Sequence, residues 1–211
     1  MLVPAIAAGA APELDELRVR LCDALDTVAR ARADVTYLVG LDAGPRARSF
    51  APWGVDVPVD VPEPMPLPLL VGAWLTAGTA RSFVAVADDM EPQECADLGA
   101  ELAASSRHVA LVVLGDGSAR HSEKGPGYVD DRAAGFDDGV ATALRAGDAA
   151  ALLRVDPGLA RELLVAGRAP WQVLAGAAAG QSHPAHAADL WHESPYGVGY
   201  HVATWTWPRT A

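Results

Sequence analysis

The sequence predicts an α/β fold: a three-layer αβα sandwich around a mostly parallel or mixed central sheet, formed by all 211 residues as one domain. Three observations predict it. Short apolar runs ending in glycine alternate with amphipathic helical patterns, as in a parallel sheet joined by helical crossovers. The clearest run, Val109 to Leu114, is apolar at every position, as expected of a central strand buried on both faces. It stops at Gly115-Asp116-Gly117-Ser118, and Arg120, His121, Ser122, Glu123 and Lys124 follow at once. Ligands in open parallel sheets lie outside the carboxyl ends of the strands, so this loop is the first place to look for chemistry.

Pro12 to Arg32 places Leu14, Leu17, Leu21, Leu25 and Val28 at helical spacing, with acidic residues early and arginines late, which suits the helix dipole. Val35 to Gly40 reads as a strand. Leu41 to Pro68 reads as loop, with prolines at 45, 52, 58, 62, 64, 66 and 68. A segment that long without regular structure is a functional loop or a cover. Within it Val55 to Val61 alternates, but Pro58 limits it to an edge strand at best. Leu69 to Gly78 reads as helix, Phe83 to Ala87 as strand and Pro92 to Ser105 as helix. Asp130 to Ala146 is amphipathic, with Ala133, Phe136, Val140 and Leu144 on one face. Ala149 to Val155, Pro157 to Ala166 and Pro170 to Ala179 read as three more helices, two of them with proline in the first turn. Ala187 to His192 and Gly199 to Trp207 are the last strand candidates, expected to join the sheet.

Composition narrows the function classes. A net charge of −11 with no basic stripe argues against a nucleic-acid surface. No apolar run is long enough to span a bilayer. Residues 1–11 are apolar but lack a basic leader, so they do not read as a signal peptide. Cys22 and Cys95 form no CxxC pair; both sit in helical patterns and read as buried thiols of a reduced, cytoplasmic protein.

Asp116, Ser118 and His121 form the candidate catalytic set: a carboxylate, a hydroxyl and an imidazole whose charge changes near neutral pH. The more ordinary reading of the loop is a polar turn that caps its own backbone. No Gly-Lys-Ser/Thr follows it, and no Gly-x-Ser-x-Gly elbow occurs, so neither a phosphate loop nor an α/β-hydrolase is indicated. The one histidine cluster, His183, His186 and His192 with Glu193, has no metal-ligand spacing and reads as surface histidines. Trp191, Trp205 and Trp207 read as core or interface.

Four segments carry a resemblance. They are Leu114 to Tyr128, the helix from Asp130 to Asp148, Glu162 to Trp171, and Ser194-Pro-Tyr-Gly-Val-Gly-Tyr200. Together they resemble the actinobacterial proteins of the class III extradiol ring-cleavage dioxygenase superfamily, the LigB-like group. The resemblance implies an αβα fold and, in active members, a non-haem Fe(II) held by two histidines and a glutamate that cleaves catechols with O2. It makes Arg120, Tyr128 and Tyr196 candidate contacts for a small aromatic ligand, and Glu193 and Asp42 the candidate metal ligands. The sequence departs from the active pattern. No His-Pro-Pro motif is present, Gly40 to Pro45 offers Asp42 in place of a histidine, and Ser118 is followed by Ala119 with His121 two residues further on. Stoichiometric iron is therefore not expected, since a facial triad needs three ligands. Two readings follow: a dioxygenase-type oxidoreductase with an altered or incomplete metal site, or a non-catalytic member that binds a small molecule or a protein partner. Met1 to Pro4 also resembles the tail of a segment that follows the first strand in this group. A strand is thus expected to precede Met1, and without it the sheet edge calls for a substitute strand, a partner chain over it (a homo-oligomer included) or marginal stability.

Overall fold

In a computed structural model, which describes residues 2–7, 14–181 and 185–208, the chain is an α/β protein. Its centre is β1 (Val35–Leu41), which pairs in parallel with β4 (Ser82–Val86) on one side and with β5 (Val109–Leu114) on the other. The order β4-β1-β5 follows from the path of the chain. Helix α3 (Leu67–Leu75) carries it from β1 to β4, and α4 (Pro92–Ala104) carries it back past β1 to β5. The chain runs one way from β1 to β4 and the other way from β4 to β5, and this reversal leaves a crevice between the carboxyl ends of β1 and β5.

Side-chain alternation along the strands makes three layers. Leu38, Val112 and Leu114 pack with Leu69, Leu70 and Ala73 of α3. Val39, Leu111 and Val113 face the other way, onto Cys95 and Leu102 of α4 and Ala169 and Val173 of α8 (Arg168–Ala179). Helix α4 starts on a capping box: Glu91 N–H donates to Glu94, and the Glu91 side chain accepts from the third helical residue. Arg168 of α8 is buried and donates to the carbonyls of Asp88 and Met90, fixing the turn that leads into α4.

The sequence reading needs correction in four places. Val109–Leu114 is not the central strand. Among the described residues β5 pairs only with β1, and all six of its residues are half-buried, because no strand covers its second flank. The C-terminal strands, β6 (His186–Glu193) and β7 (Tyr200–Thr206), do not join the sheet; they form a separate antiparallel hairpin. Its register is set by Trp191 opposite Val202 and His192 opposite His201. Residues 41–68 are not structureless. They contain the two-residue pair β2 (Arg46–Ala47) and β3 (Met65–Pro66), and they bury Phe50, Val61 and Met65 against α3. Cys22 is exposed rather than buried, whereas Cys95 is buried. Cys22 lies on α2 (Asp15–Ala31), whose inner face is made instead by Leu17, Leu21 and Ala24.

The hairpin is itself a middle layer. Tyr200, Val202 and Trp191 pack with Leu14 and with Leu17 of α2. Ala203 and Trp205 face the opposite core, built on α5 (Arg132–Ala146), α6 (Ala149–Leu153), α7 (Pro157–Glu162) and Trp171 of α8. The Trp205 indole N–H donates to the Leu144 carbonyl of α5 at 2.7 Å. Before α2, Pro4–Ala7 makes one helical turn, α1, and Val3 is buried beside Phe50 and Leu69. No helix among the described residues is long and apolar enough to cross a membrane.

Helices α4 and α8 touch through glycine on each side. A Cβ on Gly99 would meet the Val173 carbonyl, and one on Gly176 would meet Ala96 backbone. Backbone cannot yield as a flexible side chain can, so Gly99→Ala is expected to destabilise the chain by about 2–3 kcal/mol. A urea titration checks this, and an unchanged midpoint would show that the helices are not packed this closely.

Candidate acid–base site at the end of β5

The backbone beyond β5 runs extended and meets the start of the hairpin. Gly117 N–H donates to Gly199 O at 2.7 Å, and Gly199 N–H donates to Ser118 O at 2.8 Å. Both glycines are required by what lies against them. A Cβ on Gly117 or on Gly199 would run into the Asp137 carboxylate. Asp137 sits on α5 among Ala133, Val140 and Leu144, and it has no exposed surface.

A buried carboxylate is costly unless its oxygens are satisfied. Here the Ser118 N–H reaches both oxygens, at 3.2 and 3.0 Å, and His121 Nε2 lies 2.6 Å from Oδ2. His201 Nε2 comes to 3.5 Å from Oδ1. The approach is long, outside good hydrogen-bond geometry for either ring nitrogen of His201, and its side chain is 2% exposed. Burial alone would raise the Asp137 pKa. His201, His121 and the Ser118 N–H outweigh it and hold the carboxyl below its ordinary 3.8. An ionised carboxylate only accepts, so in this contact Nε2 of His121 carries a proton and donates it. The His201 ring is held between two others: His192 stacks flat on it, with centroids 4.5 Å apart and planes 4° apart, and Trp171 meets it edge-on at 5.6 Å.

Of the residues expected from the sequence, His121 is in this cluster. Ser118 is at its edge, but its buried hydroxyl donates to the Leu163 carbonyl, so its role here is to fix the loop. Asp116 lies on the side of the strand end where its charge acts on Tyr200, and Gly167 N–H donates to its carbonyl. The Asp116 carboxyl has an open face, yet the protein around it desolvates it enough to raise its pKa to about 6. Burial, with the charge of Asp116 added, raises the Tyr200 phenol above its usual range. Arg120 and Tyr128 are brought together: Arg120 donates to the Tyr128 carbonyl at 3.3 Å, and both line an open cavity of about 660 Å3 with Glu123, Val129 and Leu164. Tyr196 is elsewhere, in a left-handed conformation (φ 57°) against Leu14 and Leu17. Asp42 is exposed and ion-paired with Arg46 at 2.6 Å, and Glu193 is exposed at the end of β6. Among the described residues neither stands in a group of three or more side chains that could hold a metal ion. His183 lies outside the described residues, and His192 is stacked in the cluster rather than solvated.

Sequence reasoning missed Asp137 and His201. Both carried a signal. Asp137 is a carboxylate in the apolar stripe Ala133, Val140, Leu144, and His201 shares a strand face with Ala203 and Trp205. A charged or polar group on a core-facing register needs a partner.

Among the described residues no group of three or more His, Cys, Asp or Glu side chains is arranged to hold a metal ion. The donor chemistry agrees. Both oxygens of Asp137 are taken by Ser118 N–H and one also by His121, whose Nε2 faces the carboxylate and not an open position. The described residues therefore do not fit the two-histidine, one-glutamate iron site. Fold and site together define an α/β protein with a buried imidazole–carboxylate cluster at the switch point of a parallel sheet. No protein-family model matches the chain, and no curated protein matches it.

Two variants test the electrostatics. Asp137→Asn is expected to cost about 2–4 kcal/mol at neutral pH. The native carboxyl titrates below 3.8, so its contribution is fully present above that value and is lost as pH falls through the folded pKa. The difference from wild type should shrink in acid, and a gap in unfolding free energy independent of pH would contradict the ionised assignment. Asp116→Asn has the opposite sign. A folded pKa near 6 penalises the charged form above pH 6 and not below 3.8, so the variant should be more stable than wild type at neutral pH and equal to it in acid. Equal stability at all pH values would mean that water fully screens the carboxyl.

Proposed function

We propose that this chain binds a small aromatic ligand carrying an acidic hydroxyl and exchanges a proton with it at His121, with Asp137 as the positioning residue. The observation that carries the reading is the 2.6 Å contact between His121 Nε2 and a fully buried, ionised carboxylate. That contact fixes the ring and its tautomer and leaves Nδ1 basic, the arrangement of a carboxylate-oriented general base. The aromatic hydroxyl comes from the resemblance to extradiol dioxygenases. Arg120 and Tyr128, on the cavity beside the same loop, are the proposed ligand contacts. Ring opening would require Fe(II), which supplies the means of activating O2 in that superfamily. The chemistry assigned to this chain's own residues is the proton transfer that His121 can perform beside Asp137.

One observation favours the non-catalytic alternative: the His121 side chain is only 11% exposed, so its contact with a ligand requires the loop to open. A single titration distinguishes the two. Catechol added to the full chain at neutral pH, without oxygen, should give the ultraviolet signature of bound catecholate. His121→Ala should abolish that signature or slow its appearance by about 100-fold, and His121→Gln should behave likewise. Catechol that binds without deprotonation, equally in wild type and His121→Ala, would establish the binding-only reading. No binding at all would sink both.

A further inference from the structure

We infer that the face made by Tyr128, Val129 and Leu164 is a self-association surface, on which a second copy of this chain docks about a two-fold axis. Four large apolar side chains are exposed among the described residues, and three of them stand here: Tyr128 is 90% exposed, Val129 50% and Leu164 45%. All three line the one open cavity beside the loop after β5, so they form a single face. Apolar side chains exposed together mark an interaction surface, whereas scattered ones do not. Such docking needs no ligand and is independent of the proton transfer at His121.

Leu164 carries the first argument. Helix α7 ends in a Schellman arrangement, in which Val165 N–H donates to the Ala160 carbonyl and Leu164 N–H to the Arg161 carbonyl. The position that Leu164 fills there is left-handed, here φ 54°, and its ordinary occupant is glycine. A leucine at this point strains the backbone, and in the single chain nearly half of it stays in water. A second surface over it supplies the burial that the single chain does not. The tyrosine beside it is already ordered. Asp130 N–H donates to the Arg120 carbonyl at 3.1 Å, Gly127 N–H to the Ala119 carbonyl at 3.2 Å, and the Arg120 side chain to the Tyr128 carbonyl at 3.3 Å. A tyrosine on a backbone held in this way loses little freedom on association.

Charge selects the occupant. Positions 120–132 and 161–164, which carry this face, hold four basic and four acidic residues, in a chain whose net charge is −11. Arg132 among them is paired with both Asp130 and Glu162, each at 2.7 Å. A basic partner would be drawn to the acidic remainder of the surface, and an acidic one would be repelled by the chain as a whole. A two-fold contact sets a face against its own image. A face of balanced charge can meet its image without net repulsion, and Glu123 and Lys124, both exposed at the rim, supply opposite charges to pair across the axis. One loop and one leucine make a small interface, so the dimer is weak and reversible.

Sedimentation velocity on the full chain without ligand, from about 10 µM to about 500 µM, should show a monomer–dimer equilibrium. Leu164→Gly places the ordinary residue at a left-handed position, so its thermal midpoint should be no lower than that of wild type, while its dimer should weaken about tenfold or more. Tyr128→Ser, at a side chain almost wholly in water, should weaken the dimer similarly. Glu123→Lys and Lys124→Glu each give both faces the same excess charge and should each weaken it about threefold or more, and the double swap should restore it. A chain that stays monomeric over the whole range refutes the surface and leaves the face to a small ligand alone. A dimer that Leu164→Gly and Tyr128→Ser leave intact refutes it too, because the copies then meet elsewhere. Single charge swaps that associate as wild type does would show that the face does not meet its own image; both residues are exposed, so this arm stands whatever the fold of the glycine variant.

Discussion

The buried carboxylate of Asp137 is the constraint on which the junction of this fold depends. Removing an ion from water costs several kcal/mol, and that cost is offset only if each oxygen finds a donor within the protein. The chain meets that demand with three groups from two separate elements, which converge on a third, α5. The Ser118 N–H comes from the loop after β5, His121 from the same loop, and His201 from β7. No two of these elements can move apart without leaving the charge uncompensated. The glycines at 117 and 199 belong to the same constraint, since any side chain at either would occupy the space of the carboxylate. The charge thus joins the hairpin, which shares no strand ladder with the parallel sheet, to the end of β5.

Topology explains why this junction lies where it does. Strand β1 takes both partners, and the crossover to β4 and the one from β4 to β5 run in opposite directions, so the loops after β1 and β5 diverge. Helix α5 and the hairpin cover the β5 side of that opening. Their contacts are apolar away from it, at Ala203, Trp205 and Leu144, and polar at its edge, at Asp137, His121 and His201. The change from apolar to polar along one interface is what a strand-end site requires: rigid support behind, titrating groups in front.

The regular elements were legible in the sequence because period and length separate helices from strands. Val35 to Gly40 and Val109 to Leu114 are strands to within a residue, and the helix expected from Asp130 starts only two residues later. Strand order was not legible. An unbroken apolar run marks a strand with two covered faces, but it says nothing about how many neighbours pair with its edges, and β5 has two covered faces and one partner. The site was half legible. A polar loop after an apolar strand singled out His121. Its partner Asp137 was passed over because one carboxylate among the residues of an amphipathic helix looks like solvated surface until its position in the stripe is checked against Ala133 and Val140. His201 required the hairpin register, which pairing alone reveals.

The two acids of the strand end are pushed in opposite directions by their surroundings. Asp137 is buried more completely, yet it is the one that stays ionised, because imidazoles and a backbone N–H face it. Asp116 has an open face, and desolvation by the surrounding chain outweighs the attraction of the chain's terminal amine and takes its carboxyl to about 6. Burial by itself therefore does not decide charge here; the donors do. Between roughly pH 4 and pH 6 the site holds one carboxylate that remains charged and another that gains a proton. Separation of this kind gives neighbouring carboxyls distinct acid and base characters on a single scaffold. In this chain it arises from strand geometry. Gly117 turns the space beside it to Asp137, while Asp116, one residue earlier, acts on Tyr200, so adjacent positions of one extended segment sample two different dielectric environments.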